Sequence, residues 1–375
     1  MKKIRFFIKV KDFGSIKKSE IEIKPITIIH GGNGTGKTYL SKLIAGIELI
    51  KQLKFYFPKS SSFLSQLPPE NENEFEISNF QEFLKEYFSP APNLFKSLIE
   101  KIFSCSLQEL ISFGKEQAEV SYRIISNDID FEISFLMLQN GGIKMELKIN
   151  SVPPIKVKVT PKSVIINDIA IPNYRPTKNP TLQIRTAFIF FFETLLPNTA
   201  YFPHTRSSLS MFFSQFTNKA LKGNDLPFIS QSLLSMLIKA SSKTTKKNEN
   251  EVIEFLENEV LKSEIDFEDV EGLFQMPEII VKESDNEIKL VRASAMHSEL
   301  ASIILYLKYK YHPDTVFFIE EPEAHLHPKA QDGIARAIQM LAQKGNYIII
   351  TTHSEYLISQ IKKLFSSNMA IYELK

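Results

Sequence analysis

Apolar residues recur along this chain at several spacings, and each spacing predicts a different kind of element. From residue 3 to residue 30, short alternating runs predict hairpin strands and then a buried strand at Ile26–Ile29. Residues 78–117 carry apolar side chains at helical intervals, and residues 207–271 do so again. Between these regions, residues 119–172 alternate apolar and polar positions as antiparallel strands do. The pattern therefore predicts helices and strands that are grouped in blocks.

Continuous apolar runs follow in the last part of the sequence. Val316–Ile319 and Tyr347–Ile350 each end in polar side chains, and Met369–Tyr372 is predicted to be a last strand. Runs that are apolar at every position are typical of strands buried on both faces of a parallel sheet. We therefore expect an α/β fold built around a central sheet.

The strand Ile26–Ile29 leads into the octapeptide Gly31–Thr38, GGNGTGKT, which matches the phosphate-binding P-loop at every specified position. Glycines let the backbone turn its N–H groups toward phosphate oxygens, and the start of the following helix adds partial positive charge. Lys37 would reach the β- and γ-phosphates, and the Thr38 hydroxyl would bind Mg²⁺. The sequence thus predicts a protein that binds a nucleoside triphosphate. The predicted nucleotide-binding residues are Asn33, Gly34, Thr35, Gly36, Lys37, Thr38 and Tyr39.

Two of the later apolar runs end in residues that suit the same chemistry. The first ends at Glu320, predicted to hold Mg²⁺ through water, and at Glu321, predicted to act as general base on the attacking water. The second ends at Thr351-Thr352-His353-Ser354, where His353 is predicted to contact the γ-phosphate. A solvated glutamate pair and an ordinary surface or core histidine are the alternatives. The occurrence of all three motifs at predicted strand ends favours the functional interpretation.

The strings GGNGTGKT, IEEPEAHLHP and TTHS, in this order, resemble the motifs of ABC-class ATPase heads. The second string looks like the soluble AAA15/AAA21, or OLD-type, branch, which is related to the RecF, SMC and Rad50 heads. The likeness covers residues 1–40 and 290–360 well and the middle only loosely. It implies a P-loop NTPase fold, an ABC-ATPase-like head with a mixed central sheet, an antiparallel β subdomain and a helical subdomain.

The resemblance also implies a domain organisation. We expect the ATP-binding head in residues 1–206 and 291–375, and a helical subdomain in residues 207–290 that leads to the signature motif. Within the head, an antiparallel β region is expected at about 119–172 and a helical insert at about 78–117. OLD nucleases carry a further nuclease domain after the TTHS motif, and the roughly twenty residues that follow it here lead us to expect none.

ABC-class heads work as dimers, in which a signature Ser of one subunit contacts the γ-phosphate held by the other. In the string Ala293–Leu300, ASAMHSEL, Ser294 occupies the position that resembles this Ser. Met296 stands where the family often has Gly, and a side chain there could hold the phosphate of the other subunit further away. The alternative for Ser294 is a plain helix N-cap, for which Ser is a preferred residue.

Three smaller features either depart from the family pattern or allow more than one interpretation of the residues concerned. Glu320 replaces the usual Asp, and its longer arm can still reach Mg²⁺ through water. Tyr201, Pro203 and Arg206 keep the family's Tyr-x-Pro-x-x-Arg string, so His204 and Arg206 are either active-site residues or part of a structural turn. The pair His325 and His327 invites a zinc interpretation, but four ligands are normally needed and none lies nearby in sequence.

Composition narrows the possible partners. The formal net charge is +2, which gives no argument for nucleic acid, and the cluster Lys243, Lys246 and Lys247 is either a DNA contact or a solvated loop. The single cysteine, Cys105, suits a reducing cytosol. We expect a cytoplasmic protein with no secretory signal and no membrane association, because no run of eighteen apolar residues occurs.

The main hypothesis is an ATPase that uses ATP and Mg²⁺, with Lys37, Glu321 and His353 as catalytic residues, and forms a homodimer on ATP binding. By resemblance such heads drive or gate a partner, a nuclease or a toxin, in DNA repair or in defence against phages and plasmids, with DNA as a further possible partner. A nucleotide-gated binding module with little hydrolysis is one alternative. The ATP-binding subunit of a transporter is another, although the Leu-Ser-Gly-Gly-Gln string of such subunits is absent from the sequence.

Overall fold

The structure is a computed structural model, and its described residues fall into two compact units. Unit 1 comprises Met1–Glu22, Gly46–Glu100 and Cys105–Pro197, and unit 2 comprises Ile23–Ala45, Lys101–Ser104 and Asn198–Lys375. The residues described are 4–45, 74–77, 91–126, 129–151, 155–159, 164–166, 169–170, 198–220, 228–242, 247–268, 277–283, 286–365 and 368–374.

Unit 1 contains two antiparallel sheets. The five-stranded sheet has the order β2-β1-β5-β6-β7, with the bounds β1 Ile4–Phe13, β2 Ile16–Ile23, β5 Gln117–Ser126, β6 Ile129–Leu138 and β7 Ile143–Ser151. The four-stranded sheet has the order β10-β9-β8-β4, with the bounds β4 Glu74–Ile77, β8 Ile155–Val159, β9 Val164–Ile166 and β10 Ile169–Ala170. The antiparallel strands predicted for residues 119–172 are thus present wherever the structure describes that region.

The five-stranded sheet buries one face, and β6 shows this most regularly. Every second residue of β6 is buried, from Ile129 to Met137. Helix α2, Ala91–Phe103, follows the predicted helical spacing and contributes Phe95, whose ring stacks on Phe135 with centroids 3.8 Å apart. A short 3₁₀ helix follows at Leu107–Leu110. The predicted helical residues 78–90 lie outside the described part of the chain.

Unit 2 is built on a five-stranded parallel sheet with the order β11-β15-β16-β3-β17. Its strands are β3 Ile26–Gly31, β11 Asn198–Phe202, β15 Thr315–Glu320, β16 Tyr347–Thr352 and β17 Met369–Leu374. The three apolar runs predicted as strands, together with the last strand, are therefore confirmed. All strand pairs of this central sheet are parallel. Antiparallel pairing in the described part of unit 2 belongs to a separate sheet, which joins β12 Glu264–Phe267, β13 Ile279–Glu283 and β14 Asn286–Lys289.

Helices complete unit 2. They are α1 Lys37–Ala45, α3 Arg206–Met211, α4 Phe213–Ala220, α5 Phe228–Ala240, α6 Glu251–Phe255, a π-helical continuation Leu256–Leu261, α7 Ala295–Tyr309, α8 Pro328–Gln343 and α9 Glu355–Leu364. The helices predicted for residues 207–271 end at Leu261, and β12 occupies part of the remainder. This part of the prediction was wrong because a four-residue strand is too short to show its own period. The predicted domain boundary at residue 290 stays a prediction.

Helix α7 is the centre of the unit 2 core. Residues 298–308 of this helix are all buried, including Lys308, whose ammonium lies 2.9 Å from Glu257 Oε1 and 3.1 Å from Glu264 Oε1. Lys247, the described member of the predicted lysine cluster, lies 2.6 Å from the same Glu264 oxygen. Lys243 and Lys246 lie outside the described residues. None of the helices in the described part of the chain combines the length and apolar composition of a bilayer-spanning segment.

Candidate functional site

The three sequence motifs meet at one edge of the parallel sheet of unit 2. β16 lies between β15 and β3, and all three strands run in the same direction. In register, Glu320 at the end of β15 is opposite Thr351, and Thr352 is opposite His30 at the end of β3. The carboxyl ends of neighbouring parallel strands are where open α/β sheets bind ligands. The fold therefore brings the P-loop, the two glutamates and His353 to a common edge.

The P-loop connects β3 to α1 through left-handed glycines. Gly34 and Gly36 have φ of 76° and 94°, and a Cβ on Gly31 would lie 2.3 Å from the carbonyl oxygen of Leu374. The Lys37 ammonium donates to the carbonyl oxygens of Gly31 at 3.0 Å and Gly32 at 2.7 Å. Burial lowers the pKa of Lys37, and the charge of Glu321 partly opposes this effect. The lysine thus lies across the loop, within the electrostatic reach of Glu321.

Glu320 is buried, and both of its carboxylate oxygens accept hydrogen bonds. Ser41 Oγ at 2.9 Å and the Tyr201 hydroxyl at 2.5 Å donate to Oε1, while the His204 backbone N–H donates to Oε2 at 3.0 Å. The His204 ring nitrogen Nδ1 lies 3.1 Å from the same Oε2. Burial raises the pKa of Glu320, but the bonds from His204, Tyr201 and Ser41 outweigh it and hold the pKa below its ordinary value. Glu320 is therefore a fixed anion at the site.

Glu321 has a left-handed backbone, with φ of 44°. A residue with a Cβ pays about 1–2 kcal/mol for this conformation, so the surroundings must hold it. Its N–H donates to the Thr351 carbonyl oxygen at 2.8 Å, and its own carbonyl oxygen accepts from Arg206 Nη2 at 2.9 Å. The side chain turns outward, 43% exposed, with Oε1 3.8 Å from Nε2 of His353. Two of the three predicted catalytic side chains, Glu321 and His353, are thus neighbours.

Arg206 is fully buried and holds the end of β15 through main-chain oxygens. Its guanidinium donates to the carbonyl oxygens of Glu320 and Glu321, and also to that of Glu299 at 3.1 Å. Its Nη2 lies 2.9 Å from Glu299 Oε2 as an ion pair without the alignment of a hydrogen bond. The sequence left two interpretations of the Tyr201–Arg206 segment, active-site residues or a structural turn. The contacts of Arg206 favour a structural role, because its guanidinium holds the backbone that carries Glu320 and Glu321.

Ser294 lies at the N-cap position of α7, but its hydroxyl does not cap the helix. Instead, Oγ lies 2.7 Å from Nδ1 of His297, and the side chain is exposed. Met296 packs partly buried against the unit 2 core. Ser294 is not among the residues that these contacts bring to the sheet edge, whereas Lys37, Glu320, Glu321 and His353 are.

Comparison with known proteins agrees with this geometry. Residues 204–358 match the family described as AAA ATPase domain. The matched segment is less than half of the chain and contains Glu320, Glu321 and His353. Together with the P-loop on the parallel sheet, this match identifies the chain as an ATPase with a P-loop NTPase fold.

Individual relatives resemble this ATPase either over a short segment or at low sequence identity. The Old nuclease of Escherichia phage P2 is 39% identical over 46 residues, which are 12% of this chain and 8% of that protein. An Smc head domain bound to the C-terminal domain of ScpA, derived from Pyrococcus furiosus, is 13% identical with a TM-score of 0.44, over 96% of this chain and 92% of that one. The SMC head domain from Thermotoga maritima is 12% identical with a TM-score of 0.37, over 94% and 90%.

Glu323 is a site residue of this ATPase that the sequence interpretation missed. Its Oε1 accepts from the Thr352 hydroxyl at 2.5 Å, the His353 N–H at 3.0 Å and the Ser354 N–H at 3.2 Å. One carboxylate thus fixes the loop that carries His353. The available signal was a third carboxylate directly after the Glu-Glu-Pro string, but its partners lie thirty residues away.

The two histidines of the His-x-His string have separate surroundings. His325 has a left-handed backbone, with φ of 57°, and its Nε2 lies 4.0 Å from Glu299 Oε1. His327 is the N-cap of α8, and its Nδ1 accepts from the Lys329 N–H at 3.4 Å. Their contacts are therefore with different elements rather than with a common centre.

Proposed function

We propose that this ATPase binds ATP with Mg²⁺ at the carboxyl edge of its parallel sheet and hydrolyses it between two copies of the chain. The single observation that carries the proposal is the convergence of the P-loop, Glu321 and His353 on three neighbouring strand ends. A phosphate site, a carboxylate and a histidine at one edge are the groups that phosphoryl transfer to water needs.

The P-loop residues suit a chain of phosphates. Gly34 and Gly36 are left-handed, which lets the loop turn its N–H groups inward, and the space beside Gly34 is open. The Lys37 ammonium now rests on carbonyl oxygens of the loop, partners that phosphate oxygens can replace. The proposed nucleotide contacts are those of Asn33, Gly34, Thr35, Gly36, Lys37, Thr38 and Tyr39.

Oxygen ligands at the same edge suit Mg²⁺, which prefers carboxylate, hydroxyl and phosphate oxygens and retains several waters. Thr38, exposed at the start of α1, and Glu320 would hold the ion. Both Glu320 oxygens already accept protein hydrogen bonds, one from Ser41, which lies one helical turn beyond Thr38. We infer that Glu320 acts on the ion through bound water.

ATP is the phosphoryl donor to water, and Mg²⁺ held at this edge would neutralise the charge that develops on the phosphate oxygens. Glu321 takes the proton of the attacking water, because its carboxylate is half exposed while its backbone is fixed on both sides. His353, held through its N–H by Glu323, contacts the γ-phosphate. Lys37 balances the negative charge of the phosphates and of Glu321.

The dimer is proposed from the signature segment. Ser294 is exposed at the start of α7 with its hydroxyl free of capping, as a group that acts on a second subunit must be. Met296, which would obstruct such a contact if it pointed outward, packs against the core of its own unit. Ser294 of one copy would therefore reach the γ-phosphate held by the other.

We further propose that opening and closing of the dimer gates a partner, a nuclease or a toxin, in DNA repair or in defence against phages and plasmids. The 46-residue similarity to a phage nuclease supports this direction. DNA is a weaker candidate partner, because Lys247 of the one lysine cluster is engaged by Glu264 and Asp266. Purification from native extract, with nuclease assays and sequencing of any recovered nucleic acid, tests the proposal. Recovery of neither a partner nor DNA would contradict it.

The hydrolytic mechanism is tested by separating nucleotide binding from turnover. Lys37→Ala should lose binding of a fluorescent ATP analogue, whereas Glu321→Gln should keep binding and lose phosphate release by about a hundredfold or more. Lys363→Ala and Glu259→Gln are matched controls at exposed positions and should match wild type. Undiminished turnover in both Lys37→Ala and Glu321→Gln would refute the mechanism.

A nucleotide-gated module with little hydrolysis is the second candidate. The observation that favours it is the engagement of both Glu320 oxygens by protein donors, which leaves fewer lone pairs for an ion. That alternative predicts ATP-dependent dimers with almost no phosphate release from the wild type.

A further inference from the structure

A chain of three side chains leads from the interior of unit 2 to the signature hydroxyl. Ser263 Oγ lies 2.8 Å from Nε2 of His297, and Nδ1 of the same ring lies 2.7 Å from Ser294 Oγ. Ser263 is buried, His297 is half-buried and Ser294 is exposed. The chain therefore connects a buried hydroxyl to an exposed one through the two nitrogens of a single imidazole.

The direction of the hydrogen bonds follows from burial. A buried hydroxyl needs an acceptor for its hydrogen, and Nε2 of His297 is the acceptor that lies beside Ser263. Burial lowers the pKa of His297, with the charge of Glu283 opposing, so the ring is neutral at pH 7 and has one donor and one acceptor nitrogen. With Nε2 accepting, Nδ1 carries the proton and donates to Ser294 Oγ.

This arrangement decides what Ser294 can do. Since its oxygen accepts from His297 and its hydroxyl does not cap α7, the Ser294 hydrogen is left to point outward. An anionic phosphate oxygen requires a donor, so a Ser that gave its hydrogen to the imidazole would face the phosphate with lone pairs instead. The neutral tautomer with hydrogen on Nδ1 is thus the one that suits a phosphate contact.

We propose that His297, oriented by Ser263, is a positioning residue that presents Ser294 as a hydrogen-bond donor to the γ-phosphate bound by a second copy of the chain. The inference rests on the proposed function, in which Ser294 acts across the dimer. It adds that the side chains of Ser263 and His297 position the signature Ser294. The glycine that the family often has in this segment is replaced here by Met296. His297 itself does not touch the nucleotide.

Two substitutions of His297 separate the two ends of the relay. Asn places its amide near the position of Nδ1 and can still donate to Ser294, whereas Gln places its amide near Nε2 and contacts Ser263 instead. In a Glu321→Gln background, where hydrolysis is blocked, His297→Asn should dimerise with ATP within about threefold of its parent. His297→Gln should dimerise about tenfold more weakly, and Ser263→Ala should lie between them.

A merely structural role would not give this order. Binding of a fluorescent ATP analogue to the monomer and the thermal midpoint should be similar in all these variants, and His312→Asn, at an exposed position, is the matched control. Equal dimerisation of His297→Asn, His297→Gln and Ser263→Ala would overturn the relay, while a loss in Ser294→Ala in the same series would leave the proposed function standing. Undiminished dimerisation of Ser294→Ala would contradict the trans contact itself.

Discussion

Replacement of Arg206 by Met is predicted to destabilise unit 2 and to slow turnover. The substitution removes a buried guanidinium and leaves the Glu299 carboxylate, 1% exposed, without its cation. It also removes the donors to the carbonyl oxygens of Glu320 and Glu321, which end the strand that carries the acidic pair. Breaking one half of a buried ion pair costs about 3–5 kcal/mol, and hydrogen bonds from a charged donor contribute about 1.5–3 kcal/mol each, not additively. We therefore expect a loss of about 4 kcal/mol in the free energy of unfolding.

Urea unfolding of a double-mutant cycle measures this loss and its origin. Glu299→Met alone should cost about 3 kcal/mol, because it leaves Arg206 buried without an anion. The double variant should be more stable than the sum of the single losses predicts, by about 1–3 kcal/mol, since no unpaired charge remains. Single losses below about 1 kcal/mol, or strict additivity, would refute the reasoning. Turnover of the folded Arg206→Met fraction should fall about tenfold, because Glu321 loses one of its two backbone supports.

Three further predictions follow from other parts of unit 2. Glu323→Ala should lower turnover about tenfold with unchanged nucleotide affinity, because three donors around His353 lose their acceptor; equal turnover would contradict this. Gly333→Ala should lower the free energy of unfolding by about 1–3 kcal/mol, because the new Cβ would lie 2.6 Å from a methyl of Val260. The double variant with Val260→Ala should recover part of this loss, and a urea titration that shows no loss in Gly333→Ala would contradict the prediction. Bonds from Lys247 hold the pKa of Glu264 at about 2, below its ordinary 4.5, so its stabilising effect is present above pH 4.5 and lost as pH falls toward 2. The stability gap between wild type and Glu264→Gln should close over that range, and a constant gap would contradict it.

The sequence was sufficient for the central sheet and the strand-end motifs because both are local. Apolar runs of four residues ended in the P-loop, in Glu320 and Glu321, and in His353, and parallel strands deliver such ends to one edge. The residues assigned to the sheet edge are brought together as expected, while their chemical roles stay predictions.

The supporting contacts could not be predicted, because their partners are distant in sequence. Arg206 and Glu299 are 93 residues apart, and Ser263 and His297 are 34 apart. The small antiparallel sheet was missed for another reason: all four residues of β14 are exposed, so they show no apolar alternation. Sequence patterns report burial within one element and not which elements meet.

The most direct test of the proposed ATP-closed dimer is the mass of Glu321→Gln by light scattering, with and without Mg-ATP, beside phosphate release by the wild type. The account predicts that Glu321→Gln shifts from the 43.0 kDa of one chain to twice that mass only with Mg-ATP, while the wild type releases phosphate. A Glu321→Gln variant that binds ATP and remains at the mass of one chain would contradict the account.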